Sequence, residues 1–291
     1  MWLLFALTAA VGMAGVDIQK KALAGKMPTA VVGWFLHGAS LLIFIPILLV
    51  TQTLGAPSPS AWIVIVAAAV LTSFGLHFQQ SAYAKGELSL LEPLQQLLPA
   101  VVVVASFFIN RDLPSNLALL GIVLIMFGMY ALRRHRHDHS LLDPIKHLFM
   151  DPAVVVMVLS IAFYGVSTAV DKFALNFSGP ILYVAVLNGL LFVVDSFAIA
   201  RDYRRLSKNW RKYQWSFMRL GLAAGVQQGA QIRALQTALA GNVIAIRDVG
   251  VIAVVWYGGR VLKEQRHWWQ RWSASLILTV GAFLVAIAQG V

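Results

Sequence analysis

The chain lacks cysteine and carries few charged residues. Its 291 residues contain no cysteine, which excludes a disulfide bond and a thiolate metal site. Only 12% of the residues are charged, whereas about a quarter are charged in a typical soluble domain. The polar side chains needed to coat a water-soluble fold are therefore missing, and the composition indicates a protein whose solvent is lipid.

Acidic residues are especially scarce, with 12 Asp and Glu against 23 Lys and Arg and a formal net charge of +11. In a soluble protein this excess would suggest nucleic acid as a partner. Here the basic residues fall between hydrophobic runs, and no surface of interleaved aromatic and basic residues is present. Membrane topology explains the charge better, and we expect no nucleic-acid binding.

Long hydrophobic runs make up most of the sequence, which is 59% hydrophobic. A membrane-spanning helix needs about 20 mostly apolar residues. Ten runs qualify: Trp2–Gln19, Thr29–Thr51, Ala61–Tyr83, Leu88–Ile109, Ser115–Leu132, Pro152–Val170, Pro180–Ala200, Trp215–Ala238, Asn242–Leu262 and Trp272–Gln289. These runs lack the alternation of barrel strands, and the first lacks the basic flank of a signal peptide. The prediction is an all-α polytopic membrane protein with ten transmembrane helices.

The two halves of the chain are weakly similar. Lys20-Lys21-Ala22-Leu23 has its counterpart about 152 residues later in Lys172-Phe173-Ala174-Leu175. Five helices is an odd number, so two related halves must be inserted in opposite orientations. We therefore predict a first five-helix repeat at 1–132, a basic linker at 133–151 and a second five-helix repeat at 152–291.

Several motifs in this order are similar to a known family. They are Leu88-Ser89-Leu90-Leu91-Glu92-Pro93-Leu94, the closing Leu120–Tyr130 segment with Gly121 and Gly128, and, in the second half, Ile246-Arg247-Asp248, Leu262-Lys263-Glu264 and Gly281. Together they resemble the EamA-like module of the drug/metabolite transporter superfamily. The resemblance implies ten helices in two inverted repeats, a central cavity, and export or exchange of metabolites or drugs. Asn110-Arg111-Asp112 matches the acidic position before the fifth helix only loosely.

The basic residues are distributed unequally over the connections between spans. The odd-numbered connections contain Lys20, Lys21, Lys26, Lys85, Arg133, Arg134, Arg136, Lys146, Arg201, Arg204, Arg205, Lys208, Arg211, Lys212, Lys263, Arg266 and Arg271, while the even-numbered ones contain little beyond Arg111 and Lys172. The positive-inside rule places the odd connections in the cytoplasm and both termini outside. The family resemblance implies termini inside, and we follow the charge distribution. The predicted location is the plasma (inner) membrane, with several spans.

Polar side chains inside the spans mark a candidate substrate site, because a charge at the bilayer centre costs about 2.5–3.5 kcal/mol on insertion scales. The candidates are Glu92, Gln95 and Gln96 on the fourth helix, His77 and Gln80 on the third, Gln227, Gln228 and Gln231 on the eighth, and Arg247 and Asp248 on the ninth. Their mixed charges favour a zwitterionic or polar solute.

Structural roles are the alternative for several of these residues. Glutamines often bridge membrane helices, and Arg247 and Asp248 could pair with each other or with Glu92. A proton could be carried by Glu92, Asp17 or His77. His37 and Asp195 are expected to be structural. Gly221, Gly225 and Gly229, spaced by four residues, predict a face on which another helix packs closely.

The linker contains three alternating histidines, His135, His137 and His139, which suggest a metal site. Because nearby arginines repel cations, no metal is expected. The linker is instead predicted to contact anionic lipid headgroups.

No nucleotide-binding or catalytic motif is present, and we expect neither a cofactor nor an enzyme. The predicted function is a secondary transporter, acting as a monomer or homodimer by alternating access. A flippase for a lipid or lipid-linked headgroup is the alternative, and a membrane-embedded enzyme a remote one.

Overall fold

The protein is entirely helical in the part of the chain that the computed structural model describes, which is residues 2–51, 57–111, 115–133, 150–174, 177, 179–235, 246–264 and 268–289. The α-helices there are α1 (Trp2–Leu23), α2 (Thr29–Thr51), α3 (Pro59–Lys85), α4 (Leu88–Leu94), α5 (Leu98–Asn110), α6 (Asn116–Arg133), α7 (Pro152–Ala174), α8 (Pro180–Leu235), α9 (Gly250–Arg260) and α10 (Trp268–Gln289). A 3-10 turn at Gln95–Leu97 connects α4 to α5. No strand is found in these residues, which confirms the predicted all-α class.

Helices long and apolar enough to cross a membrane confirm the membrane class. Within the described residues they are Trp2–Leu23, Thr29–Thr51, Pro59–Lys85, Leu88–Ile109, Pro152–Asp171 and Ile181–Ala200. Large apolar side chains point outward along them, such as Val50, 83% exposed, and Leu42, 79% exposed. Such surface needs lipid to cover it. The number of ten spans and the inverted repeat remain predictions.

The fourth predicted span is not one continuous helix. α4 ends at Leu94, the 3-10 turn follows, and α5 begins at Leu98. Pro93 and Pro99 lie on either side of this turn and lack the N–H group that would continue the α-helical bonding pattern. The result is a short, separate helix that carries Glu92. α5 ends at Asn110, and the next residue, Arg111, has a left-handed φ of 58°.

The helical segment α8 is not a single straight helix, because both of its ends contact the same part of α2. His37 and Ser40 lie three residues apart on α2, yet they bond to Asp195 and Gln228, respectively, which lie 33 residues apart on α8. A straight helix would separate those two residues by about 50 Å. The chain changes direction between Ile199 and Phe217, because both residues belong to the apolar cluster that α8 forms with Val31 and Val32 of α2. The two limbs of α8 therefore correspond to the seventh and eighth spans predicted from the sequence.

Close packing occurs at glycines, but not at the ones that the spacing predicted. A methyl group built on Gly121 of α6 would lie 2.6 Å from the carbonyl oxygen of Gly281 on α10, so the two backbones touch. In contrast, nothing in the described chain lies within 4 Å of such a group on Gly221 or Gly229, and Gly225 meets only a side-chain atom, at 3.8 Å. Within the described residues, therefore, no helix packs closely on this face, contrary to the prediction.

Candidate functional site

A polar network lies where α1, α3 and α4 meet, and Glu92 is at its centre. Glu92 is only 1% exposed. Its carboxylate accepts hydrogen bonds from the Tyr83 hydroxyl and, at 3.1 Å, from the Gln95 side-chain amide. α4 presents Glu92 to α3 because the short helix packs its apolar residues, including Leu91 and Leu94, into the central core cluster.

Tyr83 connects the members of this network. Its hydroxyl accepts hydrogen bonds from Gln95 at 2.9 Å and from Gln79 at 3.3 Å while it donates to Glu92. Gln79 also donates to the Gln95 side-chain oxygen at 3.2 Å. Gln79 and Tyr83 are four residues apart on α3, and helical geometry therefore stacks them on one face. Every polar group of this cluster has a partner, as a buried network requires.

Helix α1 adds an ion pair to the same network. Lys20 Nζ lies 3.6 Å from Asp17 Oδ1 and donates to the Gln79 side-chain oxygen at 3.0 Å. Asp17 is 4% exposed and Lys20 has a 12% exposed side chain. Asp17 therefore lies inside the protein rather than at a helix end among lipid headgroups.

A second polar group is built around Arg247 and Asp248, just before α9. The guanidinium donates twice to Asp248 Oδ1, at 2.7 and 2.9 Å, and reaches the Gln231 oxygen at 3.5 Å. Gln96 donates to the backbone carbonyl of Asp248 at 3.4 Å. Arg247 and Asp248 thus pair with each other, which is one of the two pairings that the sequence left open. Their contacts with Gln231 and Gln96 hold them against α8 and the 3-10 turn.

The two groups are neighbours. Gln95 belongs to the first and Gln96 to the second, so adjacent residues of the 3-10 turn join them. Asp17 also interacts electrostatically with Glu92 on one side and with Arg247 and Asp248 on the other. The chain therefore assembles carboxylates, a lysine, an arginine and amides into one buried polar region between its two halves.

Some predicted site residues lie elsewhere. His77 is exposed and its ring contacts Phe78 edge to face, at 5.9 Å between centroids. Gln228 donates to Ser40 of α2 at 2.5 Å, which is a helix-bridging contact. Gln227 packs its backbone onto Gly12, where a methyl group would lie 2.6 Å from the Gln227 nitrogen.

Two buried amide atoms have no hydrogen-bond partner in the described part of the chain. They are Nε2 of Gln80, in a side chain that is 4% exposed, and Oε1 of Gln96, in one that is 3% exposed. An unpaired buried polar atom costs about 1–3 kcal/mol. Gln96 lies beside Asp248, so its free oxygen adds an available acceptor to the second polar group.

Tyr83, Gln79 and Lys20 belong to the network but were not predicted as site residues. Tyr83 is the last residue of the predicted third span, and its role in the network depends on the contact of α4 with α3. The usable signal was the i, i+4 spacing of Gln79 and Tyr83, and the i, i+3 spacing of Lys20 after Asp17. His37 Nδ1 lies within hydrogen-bond distance of Asp195 Oδ2, at 2.9 Å, and this contact joins α2 to α8, in line with the structural role expected of both residues.

No group of three or more His, Cys, Asp or Glu side chains that could hold a metal ion occurs in the described ranges. The linker histidines, His135, His137 and His139, lie outside those ranges. The structure thus offers no support for the metal hypothesis and does not test it in the linker.

Comparison with known proteins identifies one family. Residues 1–134 match the model of the EamA-like transporter family, which confirms the predicted resemblance over the first half of the chain and is consistent with the drug/metabolite transporter superfamily. The matched segment covers α1 to α6 and contains Glu92 and its network. No curated protein matches the chain.

Proposed function

We propose that this integral membrane protein, whose first 134 residues match the EamA-like transporter family, is a secondary transporter that moves a small polar or zwitterionic solute by alternating access. The observation that carries the proposal is the buried polar region between the two halves. Charged side chains inside membrane-spanning segments are rare, and they commonly mark the pathway of a substrate or an ion.

The mixture of groups supports a polar or zwitterionic solute. Glu92 is bonded to neutral groups, whereas Asp17 has Lys20 and Asp248 has Arg247 as basic partners. A solute with both an ammonium and a carboxylate group could interact with Glu92 and with the Arg247 pair. Gln96 offers an acceptor for a further hydrogen bond.

Proton coupling is part of the proposal. Glu92 and Asp17 are both buried within the network and interact electrostatically. His77 is exposed and outside it. We therefore assign the coupling role to the two carboxylates and no longer to His77.

Alternating access requires two halves that can exchange roles, and the contacts support such a relationship. Gly12 packs on Gln227, and Gly75 packs on Tyr164. Adding 152 to 12 and to 75 gives 164 and 227, so the shift that relates the two lysine motifs converts one contact into the other. Equivalent contacts in exchanged halves are typical of inverted repeats.

A thermal-stability screen tests the proposal. The purified protein is heated with amino acids, polyamines, nucleosides, cationic dyes and lipid headgroups, and a ligand at 100 times its Kd should stabilise the fold by about 2.7 kcal/mol. We expect a soluble zwitterion or polar metabolite to raise the Tm, and Glu92→Gln or Arg247→Gln to abolish the shift. The control is Asp195→Asn, which removes a carboxylate outside the site. Stabilisation by lipids alone would contradict the proposal and favour a flippase.

A further inference from the structure

Charged side chains from four parts of the chain meet at the end of the molecule where α1 finishes. They are Lys21 on α1, Glu87 between α3 and α4, Glu264 after α9, and Arg271 on α10. We call these four residues the end cluster. They come from both halves of the chain, so the end cluster joins the halves at this face.

Glu264 makes the central contact of the end cluster. Its two carboxylate oxygens accept hydrogen bonds from the backbone N–H groups of Leu88 and Ser89, at 2.9 and 2.8 Å. The approach is close: a methyl group built on Gly258 would lie 2.8 Å from Glu264 Oε2 and 3.0 Å from the Ser89 nitrogen. One side chain of the second half thereby holds the first turn of α4 in the first half.

The other members fix the same turn. Arg271 is 5% exposed, donates to the Ser89 hydroxyl at 2.5 Å and forms an ion pair with Glu87. Lys21 donates to the carbonyl oxygens of Tyr83, at 2.6 Å, and Gly86. A charge as buried as Arg271 is costly to leave unpaired, so loss of its partners should weaken the contacts that hold this turn.

Helix α4 connects the end cluster to the polar network. Ser89 and Glu92 lie three residues apart on this seven-residue helix, and the 3-10 turn separates it from α5. Displacing the first turn of α4 would therefore also displace Glu92 and its bond to Tyr83. The contacts of the end cluster therefore influence the position of Glu92 in the polar network, because the short helix α4 carries both ends of this connection.

We propose that the end cluster is a gate that closes the polar network toward the face on which α1 ends, and that release of Glu264 from Leu88 and Ser89 opens it. The inference rests on the proposed transport function. This face carries the basic odd-numbered connections and is the one predicted to be cytoplasmic. In this proposal Glu264, a residue of the Leu262-Lys263-Glu264 motif, holds the gate closed.

Thiol labelling tests the gate, because the native chain has no cysteine and every introduced cysteine is unique. The reporter is Gln96→Cys, whose side chain is 3% exposed and lies eight residues, about 12 Å, beyond Leu88. Two exposed positions identify the faces: Lys26→Cys follows α1, and Ser60→Cys begins α3, whose other end lies beside the end cluster. A membrane-impermeant maleimide is applied to vesicles of each orientation.

We expect Glu264→Gln to raise labelling of Gln96→Cys from the Lys26 face about tenfold, which corresponds to about 1.4 kcal/mol in favour of the open state. Labelling from the Ser60 face should stay the same or fall. The matched control is Lys263→Gln, which removes the neighbouring exposed charge and should change neither rate. Equal increases from both faces, or no increase at all, would overturn the gate.

A second, more conservative variant distinguishes opening of the gate from misfolding of the Glu264→Gln protein. Arg271→Lys keeps the positive charge but lacks the fork geometry that reaches Ser89 and Glu87 together, and the same one-sided increase is expected. The labelling requires no substrate, so it is independent of transport. One-sided labelling without any transported solute would refute the proposed function alone, and transport with two-sided labelling would refute the gate alone.

Discussion

The hydroxyl of Tyr83 should be worth more stability than a typical membrane hydrogen bond. It joins Glu92, Gln79 and Gln95, and the side chain is 1% exposed. Neutral side-chain bonds in membrane proteins average about 0.6 kcal/mol, and a bond to a charged group is worth about 1.5–3 kcal/mol. Two of the first kind and one of the second predict that Tyr83→Phe lowers the free energy of unfolding by about 3–4 kcal/mol.

A double-mutant cycle with Glu92→Gln separates this network effect from a simple packing loss. Residues in one hydrogen-bond network show interaction energies of about 0.5–3 kcal/mol, and we expect about 1.5 kcal/mol between Tyr83 and Glu92. The measurement is unfolding in detergent for both single variants and the double variant. The control is Tyr257→Phe, because Tyr257 has no side-chain hydrogen bond within the described residues. Additive effects within about 0.5 kcal/mol, or equal losses in both tyrosine variants, would refute the network.

Three further predictions follow from the packing and the charges. Gly281→Ala should destabilise by about 1–3 kcal/mol because its methyl group meets the Gly121 carbonyl at 2.8 Å. Gly221→Ala, whose methyl group has no neighbour within 4 Å among the described residues, should be neutral or stabilise by up to about 1 kcal/mol; equal Tm changes would contradict this. Asp195→Asn should cost about 1–3 kcal/mol by weakening the bond to His37 while leaving ligand binding intact, and lost binding would move this pair into the site. A C-terminal reporter active only in the cytoplasm should be silent, since the positive-inside rule predicts that both termini lie outside, and a bright signal would reverse the predicted orientation.

Composition predicted the membrane class because a lipid-exposed helix must be apolar along its whole length, as Thr29–Thr51 is. Mean hydropathy does not reveal breaks inside a span. Leu88–Ile109 is apolar enough to cross a membrane, but Pro93 and the 3-10 turn divide it into two helices. The prolines were visible in the sequence, whereas the path of the chain after them depends on what packs against α4.

Site residues were predictable where polarity is unexpected for a membrane helix. Glu92 and Gln95 stood out because lipid penalises them, and the structure brings them together. Tyr83 and Lys20 did not stand out, since both are common near membrane interfaces. Their part in the network arises from contacts between α1, α3 and α4, which the sequence periodicity does not encode. His77 is exposed although Gln80, three residues on along the same helix, is buried, because helical spacing alone does not show which neighbour covers a side chain.

Solute movement across a sealed bilayer tests the central claim most directly. The protein is reconstituted into liposomes, and uptake of the radiolabelled solute that raises the Tm is followed with and without an imposed proton gradient. The account predicts saturable uptake that Asp195→Asn retains and Glu92→Gln loses, although both variants remain folded. Binding without uptake by the native chain, or uptake unchanged in Glu92→Gln, would contradict it.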